Sequence, residues 1–338
     1  MRQWLLIALM FIAAVACAEE PEPHLFISPG WQRGGVGMAF VYPVPAGTTI
    51  QFQLVNSAGR VLNQAAAVPY RFSRADGGYV VAVGLLGLYP TFGAGNFTVR
   101  AELTSEHGII RLEGATTLSN VEYRVLERAI TMGQQGSNAV TQVSPERTEQ
   151  AARFFAVLGS TNPAATYYSG QFALPIAEVS YRITSRWFDT RRFILSNGNV
   201  INDTPHNGID YAGMPIGTAI LATAAGRVVL AENRIVTGNT IIIEHFPGIF
   251  SLYYHLDSLD VVVGNRVQMG QLIGRLGTTG FSTGPHLHFG MRVAGVDVDP
   301  NWLLNNPLID NNFILTTIRE AEAAYLEYLA AQEEIIEN

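Results

Sequence analysis

Cysteine is almost missing from this chain: Cys17 is the single one in 338 residues. No disulfide can form within it, and no metal site can be built from thiolates. The fold must therefore rest on an apolar core. Charge is also scarce. Asp, Glu, Lys and Arg make up 14% of the residues, the net charge is −7, and the basic residues form no run. That balance argues against a nucleic-acid partner. Long apolar runs are confined to the stretch from Trp4 to Val15. It is too short to span a bilayer comfortably, follows the positive start Met1-Arg2, and ends in the A-x-A sequence Ala16-Cys17-Ala18. Residues 1–18 thus read as a secretory signal cleaved before Glu19, which places the mature protein in the periplasm or cell envelope. The alternative is lipid attachment at Cys17, but the large aliphatic residue usual three positions before such a cysteine is absent, so ordinary cleavage is favoured. The chain also lacks repeats and low-complexity tracts. Its Gly-rich stretch Gly277 to Gly284 lacks the Gly-Lys-Ser/Thr ending of a phosphate loop, and reads instead as the wall of a groove.

What is present is apolar and β-rich. With 48% apolar residues, the length suffices for two domains with a sizeable core. Over residues 24–125, Ile50, Phe52 and Leu54 alternate with Gln51 and Gln53, and Phe97, Val99, Ala101 and Leu103 alternate with polar residues. Asn56-Ser57-Ala58-Gly59 and Asp76-Gly77-Gly78 punctuate short runs of this kind, the pattern of a β-sandwich. The aromatics Phe26, Trp31, Phe40 and Tyr42 belong to its core in preference to a carbohydrate-binding face. Residues 126–170 form a connector: a polar loop from Thr131 to Val143, then a helix capped by Ser144 with Pro145 at its first position, ending near Gly159. This helix is expected to pack between domains, with coverage of a neighbouring cleft as the less favoured alternative. Residues 171–305 show short apolar strands between glycines and hardly any helical period, as in an antiparallel β domain. Residues 313–337 read as a helix docked on its own domain.

Five of the seven histidines fall between positions 206 and 288. Three short pieces hold the candidate chemistry: His206-Asn207-Gly208-Ile209-Asp210, Tyr253-Tyr254-His255-Leu256, and Gly284-Pro285-His286-Leu287-His288-Phe289. The last alternates with period two, so His286 and His288 share one face of a strand while Leu287 and Phe289 enter the core. His206 and Asp210, four apart, share a face on either a helix or a strand. A lone His on an apolar strand is more often a satisfied core residue than a ligand; the conjunction of pieces carries the weight. Imidazole with carboxylate is the donor set of catalytic zinc, with one position left open for water.

These pieces resemble the lysostaphin-type zinc metallopeptidases, which cut peptide bonds in bacterial peptidoglycan. The resemblance covers about residues 168–305. It includes Gly170-Gln171-Phe172, Thr184-Ser185, Arg191-Arg192, His206 to Ala212, Gly226-Arg227-Val228-Val229, Tyr253 to Leu256, Ser282 to Phe289 and Val298-Asp299-Pro300. It implies a mostly β chain whose C-terminal antiparallel domain is of the duplicated hybrid motif type, with short flanking helices. It further implies that one Zn²⁺ per chain is held by His206, Asp210 and His288, with His255 and His286 as catalytic, non-ligating histidines. Asp189 and Gly290 depart from the family pattern, at positions that are neither ligands nor catalytic.

The expected activity is hydrolysis of peptide cross-links by metal-activated water, with peptidoglycan stem peptides as substrate. His286 would act as general base and His255 would orient the water or bond the oxyanion, although the two roles can be exchanged. Tyr253 is a candidate for the groove lining, and His245, between core-like neighbours, reads as structural. One rival is a non-catalytic scaffold or amidase activator of the same fold; relatives of that kind usually lack ligands, whereas all five positions are filled here. Another is a metal-free sugar-phosphotransfer module, which would need one phospho-accepting histidine and no export.

Overall fold

The structure is a computed structural model that describes residues 22–72, 79–123, 128–141, 144–177 and 179–337. The proposed signal segment, Cys17 and the Asp76-Gly77-Gly78 turn lie outside the described residues. The fold is mostly β.

Eight strands come first: β1 (His24–Ile27), β2 (Val36–Tyr42), β3 (Thr49–Val55), β4 (Val61–Ala66), β5 (Val68–Phe72), β6 (Tyr79–Gly87), β7 (Gly95–Ser105) and β8 (Gly108–Leu118). They form two four-stranded antiparallel sheets, ordered β1-β2-β6-β5 and β4-β3-β7-β8. Strand periodicity explains the layering. Ala39 and Val41 of β2 and Ala82 and Leu86 of β6 meet Phe52, Leu54, Val99 and Leu103 of the other sheet in one core. Trp31, also buried, belongs to that core. The intervening residues Met38, Phe40, Val81, Val83 and Leu85 point the other way, into a second core shared with the later strands. The first sheet is therefore apolar on both faces, and the two parts of the chain meet across it.

The connector differs from its expected form. After β9 (Arg128–Thr131), helix α1 (Gln134–Thr141) occupies part of the expected loop. Its Ser137 and Thr141 hydroxyls donate to the carbonyls four residues back, at 2.9 and 2.8 Å. Ser137 also accepts from the backbone N–H of Ser196 at 2.8 Å. A tertiary partner thus stabilises a helix whose own sequence favours turns. Helix α2 (Pro145–Gly159) follows, with the Ser144 hydroxyl accepting from the Arg147 N–H.

The remaining strands are β10 (Arg182–Ser185), β11 (Thr190–Ile194), β12 (Val200–Pro205), β13 (Ile209–Ala212), β14 (Ala219–Leu221), β15 (Gly226–Arg234), β16 (Gly238–Phe246), β17 (Ile249–Leu259), β18 (Arg266–Val267), β19 (Leu272–Leu276), β20 (His286–Val293) and β21 (Val296–Val298). The main path runs β10-β13-β20-β17-β16-β15-β18, with antiparallel pairing throughout. A separate sheet, β12-β11-β9, pairs β11 with β9 in parallel. Helix α3 (Pro300–Asn305) leads to α4 (Asn311–Glu337). Ile314 and Ile318 of α4 are fully buried in the second core, and Glu322 accepts hydrogen bonds from Tyr42 at 3.0 Å and Tyr79 at 2.8 Å. Further along, Leu326 and Tyr328 are exposed, so the docking of α4 is strongest in its first turns. No helix among the described residues is long and apolar enough to cross a membrane.

Candidate metal centre and catalytic cleft

Strand pairing gathers the candidate residues. β13 lies beside β20 with Asp210 directly opposite His288, and β17 lies on the other side of β20 with Tyr254 opposite His288. His206 opens the short segment between β12 and β13. Its backbone N–H donates to the Asp189 carbonyl at 3.0 Å, and its carbonyl accepts from the Phe188 N–H at 2.8 Å. All five predicted residues line one cleft of about 710 Å³.

Three donor atoms converge. His206 Nε2 lies 3.0 Å from Asp210 Oδ1 and 2.8 Å from His288 Nδ1, and His288 Nδ1 lies 3.1 Å from Asp210 Oδ1. Proton accounting shows what these distances require. His206 Nδ1 faces the Arg186 carbonyl at 2.9 Å. A carbonyl only accepts, so Nδ1 carries a proton and Nε2 is the ring atom turned toward the Asp210 carboxylate. Burial, opposed by a hydrogen bond to Asp210, moves the pKa of His288 down to about 4. For Asp210, burial works against ionisation, but His206, His288 and Arg191 hold its carboxyl well below the usual carboxylate range. Two imidazole nitrogens and a carboxylate oxygen facing one point form a donor set for a cation. Ligands about 2.0 Å from a tetrahedral ion would stand roughly 3.3 Å apart, close to the separations observed, so the donor set fits zinc.

The other two histidines border this point without joining it. His255 Nδ1 faces the Thr279 carbonyl at 2.8 Å, and His286 Nδ1 faces the Gly284 carbonyl at 2.8 Å. Both rings therefore carry a proton on Nδ1 and turn Nε2 elsewhere, and their centroids are 4.7 Å apart. His286 Nε2 lies 3.9 Å from Asp210 Oδ1. Burial, reinforced by His286 and His288, lowers the pKa of His255 to about 3. A neutral His255 whose only N–H is engaged by Thr279 cannot donate to an oxyanion; it can accept from a water. Of the two roles expected for it, the geometry favours orienting water.

Local backbone features position these groups. β17 carries one extra residue between the pairs Tyr253–Ile241 and Leu256–Asn239, and His255 adopts φ +63°, a costly conformation for a residue with a Cβ. The bulge lets Tyr254 and His255 both line the cleft while Tyr253 and Leu256 remain in the core. Tyr253 was expected in the groove. Instead it is fully buried, and its hydroxyl accepts from the Thr223 N–H at 3.0 Å. The Tyr254 ring stacks parallel to His288 at 4.8 Å. Gly208 is needed for close approach: a Cβ there would stand 2.6 Å from His288 Nε2 and 2.6 Å from the Phe289 carbonyl oxygen. His245 lies in the core, between the Ala225 carbonyl at 2.8 Å and Ser251 Oγ at 2.7 Å.

The cleft walls come from outside the motif strands as well. Ala129, Ile130 and Met132 from the β9 region, and Phe154 and Phe155 from α2, line it together with Phe281 to Gly284. The connector, expected to pack between domains in preference to covering the cleft, thus borders the site. Arg191 was noted solely as part of a motif, yet its Nη1 lies 3.1 Å from Asp210 Oδ2.

A comparison with known proteins assigns this arrangement: residues 204–300 match the model of peptidase family M23. The chain contains an M23 peptidase domain. Across 124 residues it is 40% identical to a Vibrio cholerae protein named peptidoglycan DD-endopeptidase ShyA, covering 35% of this chain and 28% of that protein. Across 95 residues it is 43% identical to DD-carboxypeptidase/endopeptidase Mpg of Neisseria meningitidis, covering 28% and 22% of the two chains. The M23 chain thus aligns with only about a quarter of the length of these curated relatives. A Pseudomonas aeruginosa crystal structure assigned to peptidase M23 is similar in fold over 83% of this chain and 96% of that one, with TM-score 0.53 and 19% identity.

Proposed function

We propose that the protein is an exported zinc metalloendopeptidase that hydrolyses peptide cross-links of peptidoglycan in the periplasm or cell envelope. The observation that carries this reading is the convergence of His206 Nε2, Asp210 Oδ1 and His288 Nδ1, with His255 and His286 beside them, each held through Nδ1 by a backbone carbonyl. The resemblance of the M23 domain to the DD-endopeptidase ShyA supports the substrate class.

In this reading His206, Asp210 and His288 hold one zinc ion. When bound, zinc polarises the scissile carbonyl and makes water acidic enough to attack near neutral pH. His286 Nε2 takes a proton from the attacking water while the water oxygen bonds to the carbonyl carbon. The C–N bond then breaks, and His286 returns that proton to the departing amine. The Gly284 carbonyl fixes the His286 tautomer throughout. His255, held by Thr279, accepts a hydrogen bond from the water and aims it. Tyr254, stacked on His288, restricts that ring's rotation. The aromatic walls help exclude bulk water.

Purified sacculi incubated with the protein, with and without chelator, test the proposal. Release of uncrosslinked muropeptides that chelator abolishes and zinc restores is the expected result. No release by the zinc-loaded protein, combined with stimulation of a separate amidase, would favour the scaffold reading instead.

A further inference from the structure

Helix α2 carries a polar residue where its apolar stripe would continue. Phe154, Val157 and Leu158 pack on the sheet, and Gln150 lies one turn before Phe154 on the same face. Gln150 is only 5% exposed, and Arg234, the last residue of β15, is 8% exposed. Together they clamp the turn of residues 235–237 that leads into β16. Gln150 Oε1 accepts from the Ile235 N–H at 2.8 Å, and the Gln150 carbonyl accepts from Arg234 Nη1 at 2.7 Å. Arg234 Nε donates to the Thr237 hydroxyl at 3.1 Å, and its guanidinium lies 4.6 Å from the centre of the Phe154 ring.

Both contacts that fix His255 depend on this turn. The Thr237 carbonyl accepts from the His255 backbone N–H at 2.9 Å. The Thr279 carbonyl engages His255 Nδ1, and the loop that carries Thr279 is itself pinned here. The Val236 carbonyl accepts from the Phe281 N–H at 2.7 Å, and the Thr279 hydroxyl accepts from the Asn239 N–H at 2.9 Å. His255, at φ +63°, keeps its conformation only where its surroundings over-determine it. Packing of Leu158 on Leu230 and Ile242 suffices to hold α2 on the sheet. Such packing is non-directional, whereas hydrogen bonds fix the turn in one geometry.

We propose that Gln150 and Arg234 are positioning residues: through the 235–237 turn they hold the His255 ring in its working place. Helix α2, outside the residues 204–300 matched to the family, then completes the site. This inference deepens the peptidase reading and rests on it for the role of His255.

The test uses the full zinc-loaded chain, unaltered and as Gln150→Met, Arg234→Met and Leu158→Ala. Gln150→Met keeps volume and helix propensity but removes the acceptor of the Ile235 N–H. Leu158→Ala is the control, since it weakens the apolar end of α2 without touching the clamp. Amide hydrogen exchange, read by NMR, follows the His255 N–H. A soluble cross-linked muropeptide dimer gives kcat and KM, and zinc content is measured alongside. In Gln150→Met the His255 amide should exchange at least about tenfold faster, while Ile241, Ile242 and Ile243 keep their protection. Its kcat should fall about ten- to a hundredfold, with KM within about twofold and zinc content unchanged. Arg234→Met should show the larger loss, and Gln150→Met decides the matter if that variant misfolds. Leu158→Ala should unfold at lower denaturant yet keep kcat and His255 protection within about twofold. Unchanged His255 exchange or unchanged kcat in folded Gln150→Met overturns the proposal. So does an equal loss of protection at every amide, or the same loss of kcat in Leu158→Ala. The exchange readout needs no turnover, so selective loosening of His255 in a chain that cuts no muropeptide would support the clamp and refute the hydrolase reading alone.

Discussion

The N-terminal sheets and the M23 sheet are both antiparallel and both bury apolar faces, but they treat polar groups differently. From β1 to β8, Asn63 is the sole buried polar residue among those described, whereas Asp189, His206, Asp210, Thr223, Arg234, Thr240, Glu244, His245, Ser251 and His255 are buried between β10 and β17. Burying a polar group is costly unless it is paired. The first region behaves as a packing module whose interior is interchangeable apolar volume. The second keeps a polar interior whose members are paired inside the fold, the candidate metal donors His206 and Asp210 among them.

The sharpest way to break this contrast is to alter the site. His206→Ala, Asp210→Ala and His288→Ala should each lose bound zinc and reduce turnover by more than about 10³-fold. His255→Ala and His286→Ala should keep zinc and lose about 10²–10⁴-fold in turnover. Elemental analysis with muropeptide release separates the two groups, and normal cleavage by His286→Ala would dismiss it as the base. On the other side of the contrast, Phe52→Ala should cost about 3–5 kcal/mol in denaturant unfolding while leaving zinc affinity of the folded protein unchanged. Coupled loss of zinc would show that the two regions are not energetically separable.

The buried imidazole of His245 offers a third comparison. Burial lowers its pKa from 6.5 to about 4, so between those values the unfolded chain binds more protons. Stability therefore rises with pH across that window: the contribution is fully present above about 6.5 and is lost as pH falls toward 4, by about 3 kcal/mol. Urea midpoints of the metal-free protein at pH 7 and pH 5 should differ less in His245→Gln than in the unaltered chain. The smallest effect is expected from Gly208→Ala. Its new methyl crowds His288 and should weaken zinc binding by about tenfold, measured by competition with a chelator; unaltered affinity would mean that the close approach is not needed.

Much of the site could be read from the sequence because period-two alternation is local: Leu287 and Phe289 go to the core, so His286 and His288 must face the cleft. The pairing of β13 with β20, which sets Asp210 opposite His288, joins segments far apart in the chain and leaves no local trace; family resemblance implied the shared ligand set but not the pairing. The bulge at His255 was not legible either, since its positive φ is imposed by neighbours on a sequence that reads as a plain strand. Tyr253 was misjudged for that reason: an extra residue in β17 reverses which tyrosine faces the groove. Helix α1 was taken for a loop because the stretch is polar and holds Gly133 and Gly136, which have weak helical propensity, and its support from Ser196 is tertiary. Arg191 escaped notice as an actor because its meaning lies in a contact across strands.

The central claim is that His206, Asp210 and His288 share one cation. A crystal structure of the zinc-loaded protein, with anomalous scattering measured on both sides of the zinc edge, tests it most directly. The account predicts one zinc peak about 2.0–2.2 Å from His206 Nε2, Asp210 Oδ1 and His288 Nδ1, with His255 and His286 outside bonding distance. A peak bound elsewhere, or none at full zinc excess, would contradict it.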